Sequence, residues 1–104
     1  MEIKILDGSN FDEHISAAAD KPVIIDFFAD WCIPCKRMAP ALKELAEENE
    51  GKIIFYKVNV DDDPGVAARY SVQSIPYFVS FKNGSVHKTM IGAQSKQNIL
   101  SLAE

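Results

Sequence analysis

Both cysteines of the chain, Cys32 and Cys35, lie within residues 30–36 and have two residues between them. A pair at this spacing can contribute ligands to a metal site, form a static disulfide, or cycle between a dithiol and a disulfide. Redox cycling requires two sulfurs that can bond without backbone movement and one thiol whose thiolate is stabilised. The fold must therefore hold these few residues in a defined turn.

The other two possibilities are less well supported by the residues. A structural metal site usually needs four ligands, and the two histidines, His14 and His87, have no ligand-like spacing to the pair. A static disulfide that closes so short a loop removes little entropy from the unfolded chain. We interpret both histidines as surface residues without a role. The acidic run at residues 61–63 is interpreted as a solvated, helix-capping turn, because no further spaced oxygen ligands follow it.

The cysteine pair lies where a strand is predicted to turn into a helix. The apolar run Val23–Phe28 precedes it, and apolar residues at helical spacing follow it over residues 38–46. If the helix begins near Cys32, free backbone N–H groups and the helix dipole favour a thiolate there. Pro34 suits the first turn of such a helix because it has no N–H to lose. We therefore expect Cys32 to be the exposed, attacking sulfur and Cys35 to be the resolving one.

The pattern of the whole chain predicts an α/β fold. Largely apolar stretches predict inner strands at Val23–Phe28 and at residues 52–60, and a short first strand is expected at residues 3–6. Asn83-Gly84 predicts a hairpin between the last two strands. Four helices are predicted to begin near Ser9, Cys32, Asp63 and Ser95, and the last to end at Glu104. The order βαβαβαββα predicts a mixed central sheet flanked by helices, in a single domain over residues 1–104.

Charge and the amino-terminal sequence restrict the partners and the compartment. Eleven basic and fifteen acidic residues give a net charge of −4 at pH 7, which disfavours nonspecific binding to nucleic acid or anionic membrane. Residues 1–7 lack the basic start and apolar run of a signal peptide. Two cysteines placed only in a redox motif fit a reducing compartment. We expect a cytoplasmic protein whose partners are proteins.

Asp26 interrupts the apolar run Val23–Phe28. Its apolar neighbours predict that the carboxyl group is buried. A buried carboxyl has a raised pKa and can exchange protons near neutral pH. The alternative is an ordinary carboxylate at a strand end.

The cysteine pair lies in the sequence Trp31-Cys32-Ile33-Pro34-Cys35-Lys36, which follows Asp26-Phe27 and precedes Pro40. This segment resembles the active site of the thioredoxin family. The resemblance continues in the right order through Asp61, Asp63-Pro64-Gly65, Ile75-Pro76, Phe81-Lys82-Asn83-Gly84 and Gly92. It therefore covers essentially the whole chain. One residue departs from the family pattern, because Ile33 stands where the family usually has Gly.

The resemblance implies a role for each reactive group. The Cys32 thiolate attacks a substrate disulfide, and Cys35 resolves the mixed disulfide, which leaves a Cys32–Cys35 bond. Asp26 is the implied proton acceptor for the resolving cysteine. Lys57, on a neighbouring predicted strand, resembles the lysine that tunes this carboxyl. The alternative for Lys57 is a solvated side chain that extends from the strand.

The resemblance also implies a groove for an extended substrate segment beside the cysteines. Sequence alone favours a trans bond before Pro76, whereas the resemblance implies a cis bond that faces the cysteines. The alternative for Trp31 is an ordinary core residue. We call the expected apolar border of the groove the substrate rim, and it consists of Trp31, Ile33, Pro34, Ile75, Pro76, Gly92 and Ala93.

The implied function is that of a thiol–disulfide oxidoreductase that reduces protein disulfides without a bound cofactor or metal. It would act as a monomer on cytosolic substrate proteins and be re-reduced by a thioredoxin reductase. Two other functions remain open. A protein of the same fold could act as a disulfide oxidase or isomerase, with its reduction potential set by Ile33-Pro34. Pro34, however, matches the reducing members of the family. It could also be a binding module without turnover, which the presence of both cysteines disfavours.

Overall fold

The computed structural model of the protein describes residues 2–104, in which nine elements follow the predicted order. Met1, with which the amino-terminal prediction begins, lies outside the described residues. The five strands are β1 (Lys4–Leu6), β2 (Val23–Phe28), β3 (Ile54–Asn59), β4 (Tyr77–Lys82) and β5 (Ser85–Ile91). The four helices are α1 (Phe11–Ala17), α2 (Ile33–Glu48), α3 (Pro64–Arg69) and α4 (Lys96–Ser101).

The strands form one mixed sheet in the order β1-β3-β2-β4-β5. β2 lies at its centre, is parallel to β3 and antiparallel to β4, and is buried at every position. The predicted hairpin joins β4 to β5, and Asn83 and Gly84 have φ angles of 53° and 81° there. Asn and Gly tolerate this left-handed backbone better than other residues. The predicted mixed sheet with an inner strand at β2 is confirmed.

The two faces of the sheet are covered by different helices. α1 and α3 pack on the face that includes Val23, Ile25 and Phe27. α2 and α4 pack on the face that includes Ile24. Because successive strand residues point to opposite faces, Asp26 shares the second face with Ile24 and lies under α2. The sheet thereby brings this carboxyl to the helix that carries Cys35.

Two predicted helix ends are wrong. Ser9 does not cap α1, because its N–H and hydroxyl both donate to Asp7 Oδ1, at 2.8 and 2.5 Å. The helix begins at Phe11, after Asn10. At the other end of the chain, α4 ends at Ser101 and is shorter than the predicted helix.

The other predicted caps are found at their expected positions. Ser95 Oγ accepts a hydrogen bond from the N–H of Asn98 at 3.1 Å and caps α4. Asp63 occupies the N-cap position of α3, but its side chain makes no capping bond. Asp63 Oδ1 instead accepts the N–H of Gly8 at 2.9 Å, which ties the β1–α1 loop to the start of α3. No helix within residues 2–104 is both long and apolar enough to span a membrane.

Candidate active site

The cysteine pair is placed by the first turn of α2. Cys32 is the N-cap residue, and its sulfur accepts the backbone N–H of Cys35 at 3.2 Å. Pro34 lies in the first helical turn. The two sulfurs form a disulfide, and the Cα atoms are 5.2 Å apart, within the usual range for such bonds. The predicted helix start near Cys32 is confirmed.

The disulfide is largely covered. Cys32 exposes 3% of its surface and Cys35 exposes 5%. Both pack with Phe28 and Ala29, and partly buried apolar residues, Ile75 among them, close over this cluster. The expectation that Cys32 is exposed is therefore wrong for the oxidised form. A partner can approach the bond only from the side that these neighbours leave open.

Asp26 lies inside the sheet, on the face of β2 that α2 covers. Its residue is 3% exposed, and in the strand register it stands between Lys57 of β3 and Phe78 of β4. Within residues 2–104, no hydrogen-bond donor reaches its Oδ1 atom. Burial raises the pKa of Asp26 from 3.8 to about 7, while the positive charge of Lys57 lowers it. The predicted buried carboxyl is confirmed, and it can gain or lose a proton near neutral pH.

Lys57 is partly buried and contacts an aromatic ring. Its Nζ atom lies 4.3 Å from the centroid of the Phe28 ring, within the range of a cation–π interaction. The ammonium group is thus held near Asp26 rather than extended freely into solvent, which disfavours the alternative interpretation. Phe28 was not predicted as a site residue. Its signal was an aromatic residue two positions after Asp26, on the same face of β2.

Two residues of the substrate rim project from the start of α2. Trp31 is 67% exposed and Ile33 is 60% exposed, so Trp31 is not a core residue. The indole Nε1 of Trp31 donates a hydrogen bond to Asp61 Oδ2 at 2.8 Å. Asp61 therefore anchors the rim, a role that no local sequence pattern indicated. Pro34 is also exposed.

The remaining rim residues come from the β4 and β5 ends. The peptide bond before Pro76 is cis, as the resemblance implied, and Pro76 is buried. The N–H of Gly92 donates to the carbonyl of Pro76 at 2.8 Å, and Gly92 has a φ of +86°, which favours glycine. Ala93 is exposed beside it. Ile91, which was not predicted as a rim residue, is 60% exposed and precedes Gly92 at the end of β5.

The histidines do not join the site. His87 is exposed, and its Nε2 lies 2.6 Å from the carbonyl of Glu104. His14 is partly buried rather than on the surface, because its ring packs edge-on against Tyr56 and its Nδ1 lies 2.9 Å from the carbonyl of Asn10. Residues 2–104 hold no group of three or more His, Cys, Asp or Glu side chains suited to a metal.

Comparison with known proteins agrees with this geometry. The family model described as Thioredoxin matches residues 2–104. A thioredoxin from Staphylococcus saprophyticus is 40% identical over 102 residues, which cover 98% of this chain and 94% of that protein. The chain belongs to the thioredoxin family. The chloroplastic M-type thioredoxin of Spinacia oleracea is 41% identical over 103 residues, which cover 99% of this chain and 56% of that protein. This chain thus spans less than two thirds of that relative.

A solved structure shows the same fold. Its description reads "Structural basis of the thiol resolving mechanism in yeast mitochondrial 1-Cys peroxiredoxin via glutathione/thioredoxin systems". One of its chains superposes with a TM-score of 0.87 at 30% identity, covering 98% of this chain and 93% of that chain. The predicted thioredoxin fold is confirmed.

Proposed function

We propose that the protein reduces disulfides of other proteins and is itself re-reduced by a thioredoxin reductase. The observation that carries the proposal is the Cys32–Cys35 pair at the start of α2, beside the exposed apolar residues Trp31 and Ile33. An electron-carrying pair needs a stabilised thiolate and a surface on which partners dock. The N–H of Cys35 at the Cys32 sulfur supports the first requirement, and the exposed side chains of Trp31 and Ile33 support the second.

The first step uses Cys32. Its thiolate attacks one sulfur of the substrate disulfide, the S–S bond breaks, and the second substrate sulfur leaves as a thiolate that takes up a proton. The N–H of Cys35 already points at the Cys32 sulfur, so it can stabilise the thiolate before attack. The product is a mixed disulfide between Cys32 and the substrate.

The second step uses Cys35 and Asp26. Asp26 accepts the proton of the Cys35 thiol, and the resulting thiolate attacks Cys32. The mixed disulfide breaks, the substrate leaves with two reduced sulfurs, and the Cys32–Cys35 bond remains. A carboxyl with a pKa of about 7 suits this task because it accepts and returns a proton near neutral pH. Lys57 tunes that acidity through its charge.

The substrate would lie on the rim residues as an extended segment. The closeness of Gly92 to Pro76 and of Ile75 to the cysteines supports one continuous docking side. We propose further that residues 1–104 act as one domain and as a monomer, since one sheet organises both core clusters. A cytoplasmic location is supported by the use of cysteine only in the redox pair.

The attack and resolution roles can be tested with single serine variants in an insulin-reduction assay driven by dithiothreitol. Cys32→Ser should abolish turnover, because the attacking sulfur is lost. Cys35→Ser should retain attack and accumulate mixed disulfides, which mass spectrometry of non-reduced samples detects. Full activity in both variants would refute the assignment. A native protein that shows no turnover, together with a Cys32→Ser/Cys35→Ser double variant that keeps full partner binding, would favour a binding module.

The direction of electron transfer can be tested through Ile33. Its side chain is exposed, so Ile33→Gly should alter partner contacts more than the disulfide itself. We expect the reduction potential to shift by no more than about 30 mV, equivalent to about 1.4 kcal/mol, while reductase efficiency changes more clearly. Equilibration with glutathione buffers measures the potential. A native potential typical of disulfide-forming oxidants, made reducing by Ile33→Gly, would favour the oxidase function.

A further inference from the structure

A cleft of about 450 Å³ lies between β1, β3 and α2. Its volume falls within the range of small-molecule sites, about 300–1,000 Å³. Of the groups placed in the redox reaction, only Lys57 lines it. The lining residues are Glu2, Ile3, Ile5, Lys36, Ala39, Pro40, Lys43 and Lys57.

The charge of the cleft is opposite to that of the whole chain. Among the described lining residues, Lys36, Lys43 and Lys57 bring three ammonium groups to it, against one carboxylate, that of Glu2. Glu2 Oε1 lies 3.7 Å from Lys43 Nζ and neutralises part of that charge. Lys36 and Lys57 form no salt bridge within residues 2–104. In a protein of net charge −4, this local excess of positive charge favours an anion.

The remaining lining is apolar. Ile3, Ile5, Ala39 and Pro40 supply it, and Ile5 is 56% exposed although it belongs to a strand. A large aliphatic side chain at that exposure offers surface that an apolar ligand group can cover. Lysine heads beside aliphatic side chains match a molecule with an anionic head and a short apolar body.

The cleft continues toward the redox pair. A second cleft of about 170 Å³ shares Lys36, Ala39 and Lys57 with it and reaches Cys35 and Phe28. An anion bound against Lys57 would therefore lie beside the ammonium group that stands over the Phe28 ring. It would also cover the approach to the resolving cysteine from this side.

We propose that the cleft binds a small amphiphilic anion, such as an alkyl phosphate or carboxylate, and that its occupancy slows resolution by Cys35. The head group lies between the lysines, and the apolar body lies on Ile3, Ile5 and Pro40. Bound negative charge offsets the positive charge of Lys57, so it favours the protonated form of Asp26. The effect on resolution rests on the proposed function of Asp26, whereas binding does not.

Binding is tested by NMR titration of the full chain with hexyl phosphate, inorganic phosphate and hexanol. Hexyl phosphate should shift the amide resonances of the lining residues along a saturable curve. Hexanol should shift them little, and inorganic phosphate should bind at least about tenfold more weakly than hexyl phosphate, a difference of about 1.4 kcal/mol. Absence of saturable shifts with hexyl phosphate would overturn the proposal. Equal affinity for hexanol would overturn the anionic part of it.

Variants at exposed lining positions distinguish binding in the cleft from general electrostatic attraction to the protein surface. Lys43→Gln should weaken binding of hexyl phosphate by about two- to fivefold, the range of an exposed ion pair. Ile5→Ser should weaken hexyl phosphate but leave inorganic phosphate unchanged. Lys21→Gln is the matched control, because Lys21 is an exposed lysine outside the cleft. An equal loss in Lys21→Gln and Lys43→Gln would show general charge attraction and refute the site.

The kinetic effect is measured in a single turnover, in which a disulfide peptide with a fluorescent leaving thiol reports attack and loss of the mixed disulfide reports resolution. Saturating hexyl phosphate should slow resolution several-fold and leave attack nearly unchanged. Saturable binding without slower resolution would refute the proposal that the bound anion slows resolution by Cys35. If no mixed disulfide forms without ligand, the proposed function fails, while the NMR titration still decides whether the cleft binds anions.

Discussion

The two faces of β2 are equally buried but chemically different. One face presents Val23, Ile25 and Phe27 to an entirely apolar cluster under α1 and α3. The other presents Ile24, Asp26 and Phe28 toward α2. Every one of these residues is at most 9% exposed. Six consecutive residues therefore combine a hydrophobic core with a buried titratable group.

One face of β2 stabilises the fold through packing, and the other face carries the titratable group. The Phe27 ring packs 6.2 Å from the ring of Tyr70 and 6.3 Å from that of Tyr77, distances typical of aromatic pairs. Asp26 instead has a carboxyl oxygen without a partner among the described residues. Burial of that ionised group destabilises the folded state, and the apolar face offsets this effect. The chain thus places a carboxyl group where an apolar residue would stabilise the fold more.

The largest effect is expected on the apolar face. Phe27→Ala should lower the free energy of unfolding by about 3–5 kcal/mol, because it removes a fully buried ring and leaves a cavity. Urea denaturation measures the change. The pKa of Asp26 should remain near that of the parent protein. A loss below about 1 kcal/mol, or a large change in that pKa, would show that the two faces are not separate.

The second effect has the opposite sign. Asp26→Asn should stabilise the protein at pH 8 by up to about 4 kcal/mol, the equivalent of raising a carboxyl pKa from 3.8 to about 7. The same variant should resolve mixed disulfides more slowly, since the proton acceptor is lost. Urea denaturation and single-turnover kinetics measure the two outcomes. A destabilised variant would refute the account of burial.

The gain in Asp26→Asn should depend on pH. Between about pH 4 and pH 7 the folded protein keeps a proton on Asp26 that the unfolded chain has released, so its stability falls as pH rises through this window. Above about pH 7 this loss of folding stability is complete. The advantage of the variant should therefore be small near pH 4 and full at pH 8. An advantage that is constant with pH would contradict the raised pKa.

The smallest effect concerns Lys57. Lys57→Gln should raise the pKa of Asp26 above about 7, because the positive charge that lowers it is removed. Lys57→Arg, which keeps the charge, should change it less. NMR titration of the Asp26 carboxyl carbon in each variant measures the pKa. If the pKa of Asp26 in Lys57→Gln is unchanged or lower, the charge of Lys57 does not lower the pKa of Asp26 in the native protein.

Local sequence patterns predicted the framework of the site. The largely apolar run at residues 23–28 predicted β2, Asn83-Gly84 predicted the hairpin, and Pro34 with Cys32 predicted the start of α2. These features depend on neighbouring residues. Asp26 was predicted as buried because its neighbours along the strand are apolar. The family resemblance supplied the cis bond before Pro76, which the local sequence disfavoured.

Contacts between distant segments could not be predicted in this way. Asp63 occupies its cap position, yet its side chain binds Gly8, a residue 55 positions away. The coverage of Cys32 depends on Ile75, which reaches the cysteines only when the sheet is complete. The bond between Trp31 and Asp61 likewise joins residues 30 positions apart. Such contacts follow from strand order, which the sequence pattern alone did not specify.

The central position of β2 also has a consequence for synthesis of the chain. Val23 pairs with Ile54 on one side and with Phe81 on the other, so both sheet partners are made after β2. Closing loops of this length costs conformational entropy, which native contacts offset only after they have formed. A growing chain on the ribosome therefore carries Cys32 and Cys35 before their cover exists. Until Ile75 and β4 emerge and dock, the two thiols lack the cover that Ile75 gives them in the folded protein.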